Sequence, residues 1–205
     1  MTHEPSAIRE DLPDPERRAL TRRGLHLEYA TIGWNAFEGI AAIAAGIVAH
    51  SVALTAFGLD SAVEVFASSV AAWQLRAEGR HRDRRALRLI GLCFLLVGIY
   101  VGVQSIVHLV TGARPSGSPF GVAITAAAVV VMSGLGVAKR SVAGALGNPV
   151  LGAEARFSLV DAGLSATVLV GLLLNLTLGW WWADPASALA IAGLALVEAI
   201  EGLRA

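Results

Sequence analysis

Long apolar runs of about 20 residues recur along the chain, and short polar segments separate them. Each run is long enough to cross a hydrocarbon layer about 30 Å thick. Backbone N–H and C=O groups in lipid need partners within their own segment, so each run is predicted to be a helix. The pattern therefore predicts an all-α membrane protein with six transmembrane helices, near Tyr29–His50, Val52–Leu75, Ala86–Val110, Phe120–Ala138, Phe157–Leu178 and Pro185–Leu203.

Composition agrees with this interpretation, since 55% of the 205 residues are hydrophobic and the mean hydropathy is +0.63. The first apolar run is too long for a signal peptide and follows about 25 polar residues. We expect residues 1–25 to be a flexible cytoplasmic tail and residues 26–205 to form one six-helix transmembrane domain. Only Arg204 and Ala205 follow the sixth run, so no soluble C-terminal domain is expected.

The net charge is zero, but the basic residues are distributed unevenly between the two predicted sides of the membrane. Arg114 is the single basic residue on one side, and all the others lie in the N-terminal tail, in the loops after spans two and four, or at the C-terminus. This bias predicts that both termini are cytoplasmic, in a plasma or inner membrane. The arginines of segment 76–88 indicate topology and contact with lipid headgroups rather than nucleic-acid binding.

Five carboxylates fall within or beside the apolar runs: Glu38, Asp60, Glu64, Glu154 and Asp161. A charged side chain at the centre of a membrane helix costs at least about 2.5 kcal/mol. Such residues therefore usually face a cavity, pair with another group or carry a proton. These five are the candidate metal ligands of the chain.

Asp60 and Glu64 are four residues apart, so both project from one face of the second helix about 6 Å apart. Two carboxylates on one face repel each other, and a divalent metal relieves that repulsion by binding both. Asp161 lies at a similar depth in the fifth helix. No lysine or arginine is predicted within a span to neutralise them, which favours a mobile cation or protons. The alternative is a buried polar network without transport.

Glu38 and Glu154 also have structural interpretations. Glu38 and Asn35 lie one turn apart and could bond to other helices without binding a metal. Glu154 lies near a helix start, where a carboxylate favours the helix dipole. His108, near the outer end of the third run, could assist release of a cation, although a single interfacial histidine is more often a packing residue.

A weak internal repeat relates residues 57–70 to residues 154–167, and it aligns Ser61 with Ser158 and Glu64 with Asp161. The two segments belong to spans two and five, which run in opposite directions. A 3+3 inverted repeat of this kind is a recurring feature of transporters, which place the substrate site between the repeats. Chance similarity between two helices rich in small residues is the alternative.

The segment HSVALTAFGLDSAVEV, residues 50–65, resembles the second transmembrane helix of the cation diffusion facilitator family, also called the cation efflux family. Asp60 and Glu64 stand at its two ligand positions. Ala153, Glu154 and Asp161 are similar to the family's pattern in helix five, but Phe157 stands where that pattern has a His or Asp ligand. The segment GWWWADP, residues 179–185, is similar to the start of its sixth helix.

The resemblance implies a short, membrane-domain-only relative that exports a divalent metal cation, zinc-like or manganese-like, in exchange for protons. It also implies a homodimer in the lipid bilayer, with Glu38 or Glu154 replacing the ligand lost at Phe157. No cofactor and no enzyme activity are expected, because no phosphate-binding loop or nucleophile–base pair is present. The alternative function is a membrane metal sensor or accessory subunit that does not transport.

Overall fold

The structure is a computed structural model that describes residues 14–76 and 83–204. Its regular structure is helical throughout, which confirms the predicted all-α class with six helices. The helices are α1 (Asp14–Ala49), α2 (Val52–Arg76), α3 (Asp83–Thr111), α4 (Pro119–Leu146), α5 (Pro149–Leu178) and α6 (Ala183–Arg204).

Three of these helices extend well beyond the apolar runs that predicted them. α1 begins at Asp14, so residues 14–25 are helical where a flexible tail was expected, and residues 1–13 lie outside the described part of the chain. α4 continues to Leu146 and α5 already begins at Pro149. The predicted spans were limited to the apolar runs. A helix extends beyond such a run wherever its backbone hydrogen bonds continue.

The turn between α4 and α5 is tight and is built by the sequence Gly147-Asn148-Pro149. Gly147 ends α4 with φ 62°, a left-handed conformation that favours glycine. The Asn148 side chain accepts hydrogen bonds from the backbone N–H groups of Val150 and Leu151, each at 3.0 Å. Pro149 occupies the first helical position, where no N–H partner is needed. The end of α4 is therefore held beside the start of α5.

The helices pack as three close pairs: α1 with α2, α4 with α5, and α3 with α6. The pairs α1–α2 and α4–α5 also meet, through contacts of α1 with α4 and of α2 with α5. Exchanging the first three helices for the last three maps most of these contacts onto one another. This arrangement supports the predicted 3+3 repeat.

One end of the bundle collects exposed basic side chains, and we call it the basic end. α1 begins there, α2 ends there, and the α4–α5 turn lies there. Arg76, Arg140 and Arg156 are all exposed, and the Arg76 guanidinium lies 5.2 Å from the centre of the Tyr29 ring.

The outer surface of the bundle is apolar, as lipid requires. Ile40, Val48 and Val110 are 74%, 80% and 81% exposed, whereas many polar side chains of α1, α2 and α5 are buried. Five helices are long and apolar enough to cross a membrane, and the apolar part of α6, Ala183–Val197, is shorter. The chain is thus an integral membrane protein, with five candidate spans by length and α6 as a shorter apolar helix.

At the opposite end, Asp184 has a role that its sequence context did not indicate. The Asp-Pro pair favours an N-cap of α6, but α6 begins at Ala183 and the Asp184 carboxylate instead binds the start of α2. It accepts hydrogen bonds from the Ser51 hydroxyl and from the backbone N–H groups of Val52 (3.0 Å) and Ala53 (3.3 Å). Asp184 therefore satisfies N–H groups that a helix start leaves without partners, and it ties α6 to α2.

Glycine allows the closest approach of α1 to α2. A Cβ on Gly58 of α2 would lie 2.8 Å from the carbonyl oxygen of Gly39 in α1, and that backbone oxygen cannot rotate away. We expect Gly58→Ala to lower the free energy of unfolding by about 1–3 kcal/mol, measured by denaturant titration in detergent. Gly33→Ala in α1 is the matched control, because a Cβ there meets nothing within 4 Å. It should leave the stability unchanged or raise it by up to about 1 kcal/mol; equal losses in the two variants would contradict this packing.

Candidate cation site

The five predicted carboxylates are all buried in the helix bundle. Their relative exposures are 0% for Glu38, 4% for Asp60, 7% for Glu64, 6% for Glu154 and 1% for Asp161. Each must therefore be matched by hydrogen bonds, by a cation or by a proton. The charges of Glu64, Asp60 and Glu38 act on Asp161, whereas Glu154 pairs with Lys139 nearer the basic end.

Glu64 is held by α1. Its Oε2 atom accepts a hydrogen bond of 2.8 Å from the Asn35 side-chain amide. Asp60 lies one turn earlier on α2, and its charge acts on Glu64. Asn35 therefore fixes one carboxylate of the predicted pair without neutralising either of them.

Glu38 lies one turn beyond Asn35 on the buried face of α1. Its Oε1 atom accepts a hydrogen bond of 3.2 Å from the Ser61 hydroxyl of α2, and its Oε2 atom has no hydrogen-bond partner. The structural interpretation of Glu38 and Asn35 as contacts between helices thus describes part of what they do. The second oxygen of Glu38 is left available to another ligand.

Asp161 differs from the other carboxylates because neither of its oxygens has a hydrogen-bond partner. The charges that act on it are those of Glu64, Asp60 and Glu38, all of which are negative when ionised. A buried carboxylate on which the charges of three others act, and which accepts no hydrogen bond, needs a proton or a cation beside it.

Glu154 binds a lysine that was predicted to lie outside the membrane spans. Lys139 was assigned to the loop after span four, but it is on α4 and completely buried. Its Nζ atom lies 3.5 Å from Glu154 Oε2 and 3.0 Å from Glu28 Oε2. The Ser68 hydroxyl also donates to Glu154 Oε2, at 3.0 Å. Lys139, which the sequence interpretation placed in a loop, therefore lies inside the bundle beside Glu154, and its charge also acts on Glu64.

The sequence interpretation missed Glu28 and Lys139, although both carry a periodic signal. Glu28, Thr31, Asn35 and Glu38 recur every three or four residues and are all buried on one face of α1. Lys139 continues the buried face of α4 that includes Met132 and Gly136.

Within residues 14–76 and 83–204, no group of three or more His, Cys, Asp or Glu side chains is arranged to hold a metal ion. Phe157, at the position of the expected fourth ligand, is partly buried. His108 lies at the other end of the bundle, near Asp184. The assignment of Asp60, Glu64, Asp161, Glu154 and Glu38 as metal ligands thus stays a prediction.

The fold and these buried acids define a class of protein: a helical membrane protein whose interior carries a path of carboxylates between two packed helix pairs. A sequence model of the cation efflux transmembrane domain matches residues 30–205. The chain therefore belongs to the cation efflux family, as the resemblance in α2, α5 and α6 indicated. Membership implies divalent cation efflux and places the chain in a family of membrane transporters rather than enzymes.

Proposed function

We propose that this protein exports a divalent metal cation across its membrane in exchange for protons, and that Asp60, Glu64 and Asp161 carry both. The observation that carries the proposal is Asp161. It is buried, neither of its oxygens has a hydrogen-bond partner, and the charges of Glu64, Asp60 and Glu38 act on it. A metal and a proton compete for the same carboxylate oxygens, so binding of one releases the other.

Glu38 is the better candidate for the ligand missing at Phe157. Its free Oε2 atom belongs to a carboxylate whose charge already acts on Asp161. Glu154 is the weaker candidate, because the Lys139 ammonium and the Ser68 hydroxyl both occupy its Oε2 atom. We propose a site formed by Asp60, Glu64, Asp161 and Glu38, with Glu154 outside it.

A ligand set of this kind contains only oxygen atoms. Carboxylate oxygens suit hard ions such as manganese, whereas imidazole and thiolate favour zinc and copper. We therefore propose a less selective exporter that accepts manganese, iron or cobalt as well as zinc and cadmium.

The proposed orientation has both termini in the cytoplasm, because the basic end collects Arg76, Arg140 and Arg156 on one side. We further propose that the chain acts as a homodimer, as the resemblance implies. The described helices present broad apolar surfaces, so the dimer contact would lie within the lipid bilayer.

Proteoliposomes with an imposed pH gradient test the proposal. We expect uptake of manganese or zinc, followed with a metal-sensitive dye, to require the gradient and to be accompanied by counterflow of protons. Chelated metal and protein-free liposomes are the controls. Metal binding measured by calorimetry without any flux would contradict transport and favour the sensor or accessory subunit. Flux that is indifferent to the gradient would contradict proton exchange.

A further inference from the structure

A buried ion-pair cluster lies between the proposed cation site and the basic end. It consists of Glu28, Lys139 and Glu154, and Lys139 and Glu28 are both completely buried. The Lys139 ammonium lies 3.0 Å from Glu28 Oε2 and 3.5 Å from Glu154 Oε2. The cluster contains two carboxylates for one ammonium, and Glu28 Oε1 has no hydrogen-bond partner.

The cluster joins the two helix pairs of the bundle. Glu28 belongs to α1, and Ser68, which bonds to Glu154, belongs to α2. Lys139 and Glu154 belong to α4 and α5. The ion pair of Lys139 with Glu28 and the hydrogen bond of Ser68 to Glu154 therefore both join the α1–α2 pair to the α4–α5 pair.

The cluster also lies on the same buried faces as the carboxylate site. On α5, Glu154 is seven residues before Asp161, which is roughly 10 Å along the helix. On α2, Ser68 is one turn after Glu64, and the charges of Lys139 and Glu154 act on Glu64. A cation that moves between the basic end and Asp161 along these polar faces must therefore pass the cluster.

The cost of burying these charges indicates that the cluster has a function other than stabilising the fold. A buried ion pair loses the hydration of both charges, and replacing such pairs with apolar side chains is often neutral or stabilising. Here the excess carboxylate makes burial more costly still. At the opposite end, by contrast, Asp184 ties α6 to α2 by capping a helix, without an ion pair.

We propose that the Glu28–Lys139–Glu154 cluster is the closed gate between the basic end and the carboxylate site, and that it must separate before a cation can exchange on that side. The proposal rests on the proposed function, because a gate serves a transport path. Lys139 is the residue on which it depends, since its ammonium binds a carboxylate of each helix pair.

Cysteine labelling tests the gate without any need for transport. The reporter is Ser158→Cys, because Ser158 lies on α5 between Glu154 and Asp161, is 1% exposed and has no hydrogen-bond partner for its hydroxyl. Cys93, the single native cysteine, is replaced by serine to remove the background. A cationic, membrane-impermeant methanethiosulfonate is applied to right-side-out and to inside-out vesicles, and the labelling rate is measured on each side.

The gate variant combines Lys139→Met, Glu28→Gln and Glu154→Gln, so that no charge is left buried without a partner. We expect its labelling rate from the basic end to rise about tenfold or more, with no change from the other side. Lys139→Arg keeps the cation and should label like the parent. Arg140→Met removes an exposed cation from the next position of α4 and is the matched control.

An unchanged rate in the gate variant would overturn the gate. So would an equal rise from both sides, because that result indicates a loosened bundle rather than one opened end. Metal flux in the same vesicles separates this proposal from the proposed function. If labelling rises as expected while the parent shows no flux, the cluster closes the basic end but the transport proposal fails; if the parent transports and the rate is unchanged, transport holds and the gate proposal fails.

Discussion

Replacing Asp161 with asparagine is expected to abolish metal flux in proteoliposomes, with a loss of at least about 100-fold. Residues that only support a metal ligand already change metal affinity by about 10- to 100-fold, and Asp161 is proposed to bind the metal directly. The amide keeps the size of the carboxylate but can neither be ionised nor release a proton. The substitution thus removes the carboxylate that is proposed to bind both the metal and the exchanged proton.

The same substitution should leave the fold intact or stabilise it. Asp161 accepts no hydrogen bond from the protein, so the amide removes no partner, and it avoids burying a charge among other carboxylates. The thermal midpoint in detergent is therefore expected to be equal to or above that of the parent. Ser165→Ala, one turn further along the buried face of α5, is the matched control and should retain flux. Unimpaired flux in Asp161→Asn would remove Asp161 from the site.

The isolation of Asp161 has a structural cause in the repeat itself. The offset of 97 residues that pairs Glu64 with Asp161 also pairs Asn35 of α1 with Met132 of α4 when it is extended to those helices. Asn35 donates a hydrogen bond to Glu64, whereas Met132, which is fully buried, has no donor to offer. The two halves thus place acids at equivalent positions, but only the first half supplies a polar partner. Asp161 is thus left without a hydrogen-bond donor among the described residues.

The helices were predictable because lipid imposes a simple rule on composition. About 20 apolar residues in a row leave a helix as the one structure that satisfies the backbone, so all six elements follow from hydropathy alone. The ends of α1, α4 and α5 do not follow from it. They continue past the hydrocarbon, where polar residues are permitted and where local signals such as Gly147-Asn148-Pro149 set the boundary.

The candidate site was also predictable only within the apolar runs, and the prediction missed residues just beyond them. Glu38, Asp60, Glu64 and Asp161 stood out because a carboxylate is costly inside an apolar run. Glu28 and Lys139 did not stand out, because both lie just beyond the apolar runs, where charge is ordinarily solvated. Their burial depends on the packing of α1 against α4, which apolar runs do not report. The periodicity of each helix carried the signal, since both residues continue a buried face.

The shared placement of acids on the buried faces explains how one bundle can carry both a site and a gate. Glu28 and Glu38 lie on the same face of α1, and Glu154 and Asp161 lie on the same face of α5. Near the basic end the Lys139 ammonium pairs with Glu28 and Glu154, whereas neither oxygen of Asp161 has a hydrogen-bond partner. A helix movement that separates the two helix pairs at Lys139 would leave Asp161 in contact with that side of the membrane.

Removing Lys139 alone is expected to have the largest effect on stability of any single substitution proposed here. Lys139→Met keeps the length of the side chain but leaves Glu28 and Glu154 buried without their cation. Breaking a buried pair from one side costs about 3–5 kcal/mol, so the free energy of unfolding should fall by about that amount. Denaturant titration in mixed micelles measures it.

The combination with Glu28→Gln and Glu154→Gln should recover most of this loss, because it removes the charges that Lys139→Met leaves without a partner. The recovery is the decisive quantity, since it separates an electrostatic role of Lys139 from a packing role. Arg140→Met, at an exposed neighbouring position, should change stability by less than about 0.5 kcal/mol. If Lys139→Met alone costs no more than Arg140→Met, water reaches the cluster and the buried ion pair does not hold the two helix pairs together. If instead the loss is large but the two glutamines do not reduce it, the loss comes from disturbed packing around position 139 and not from the carboxylates left without a cation.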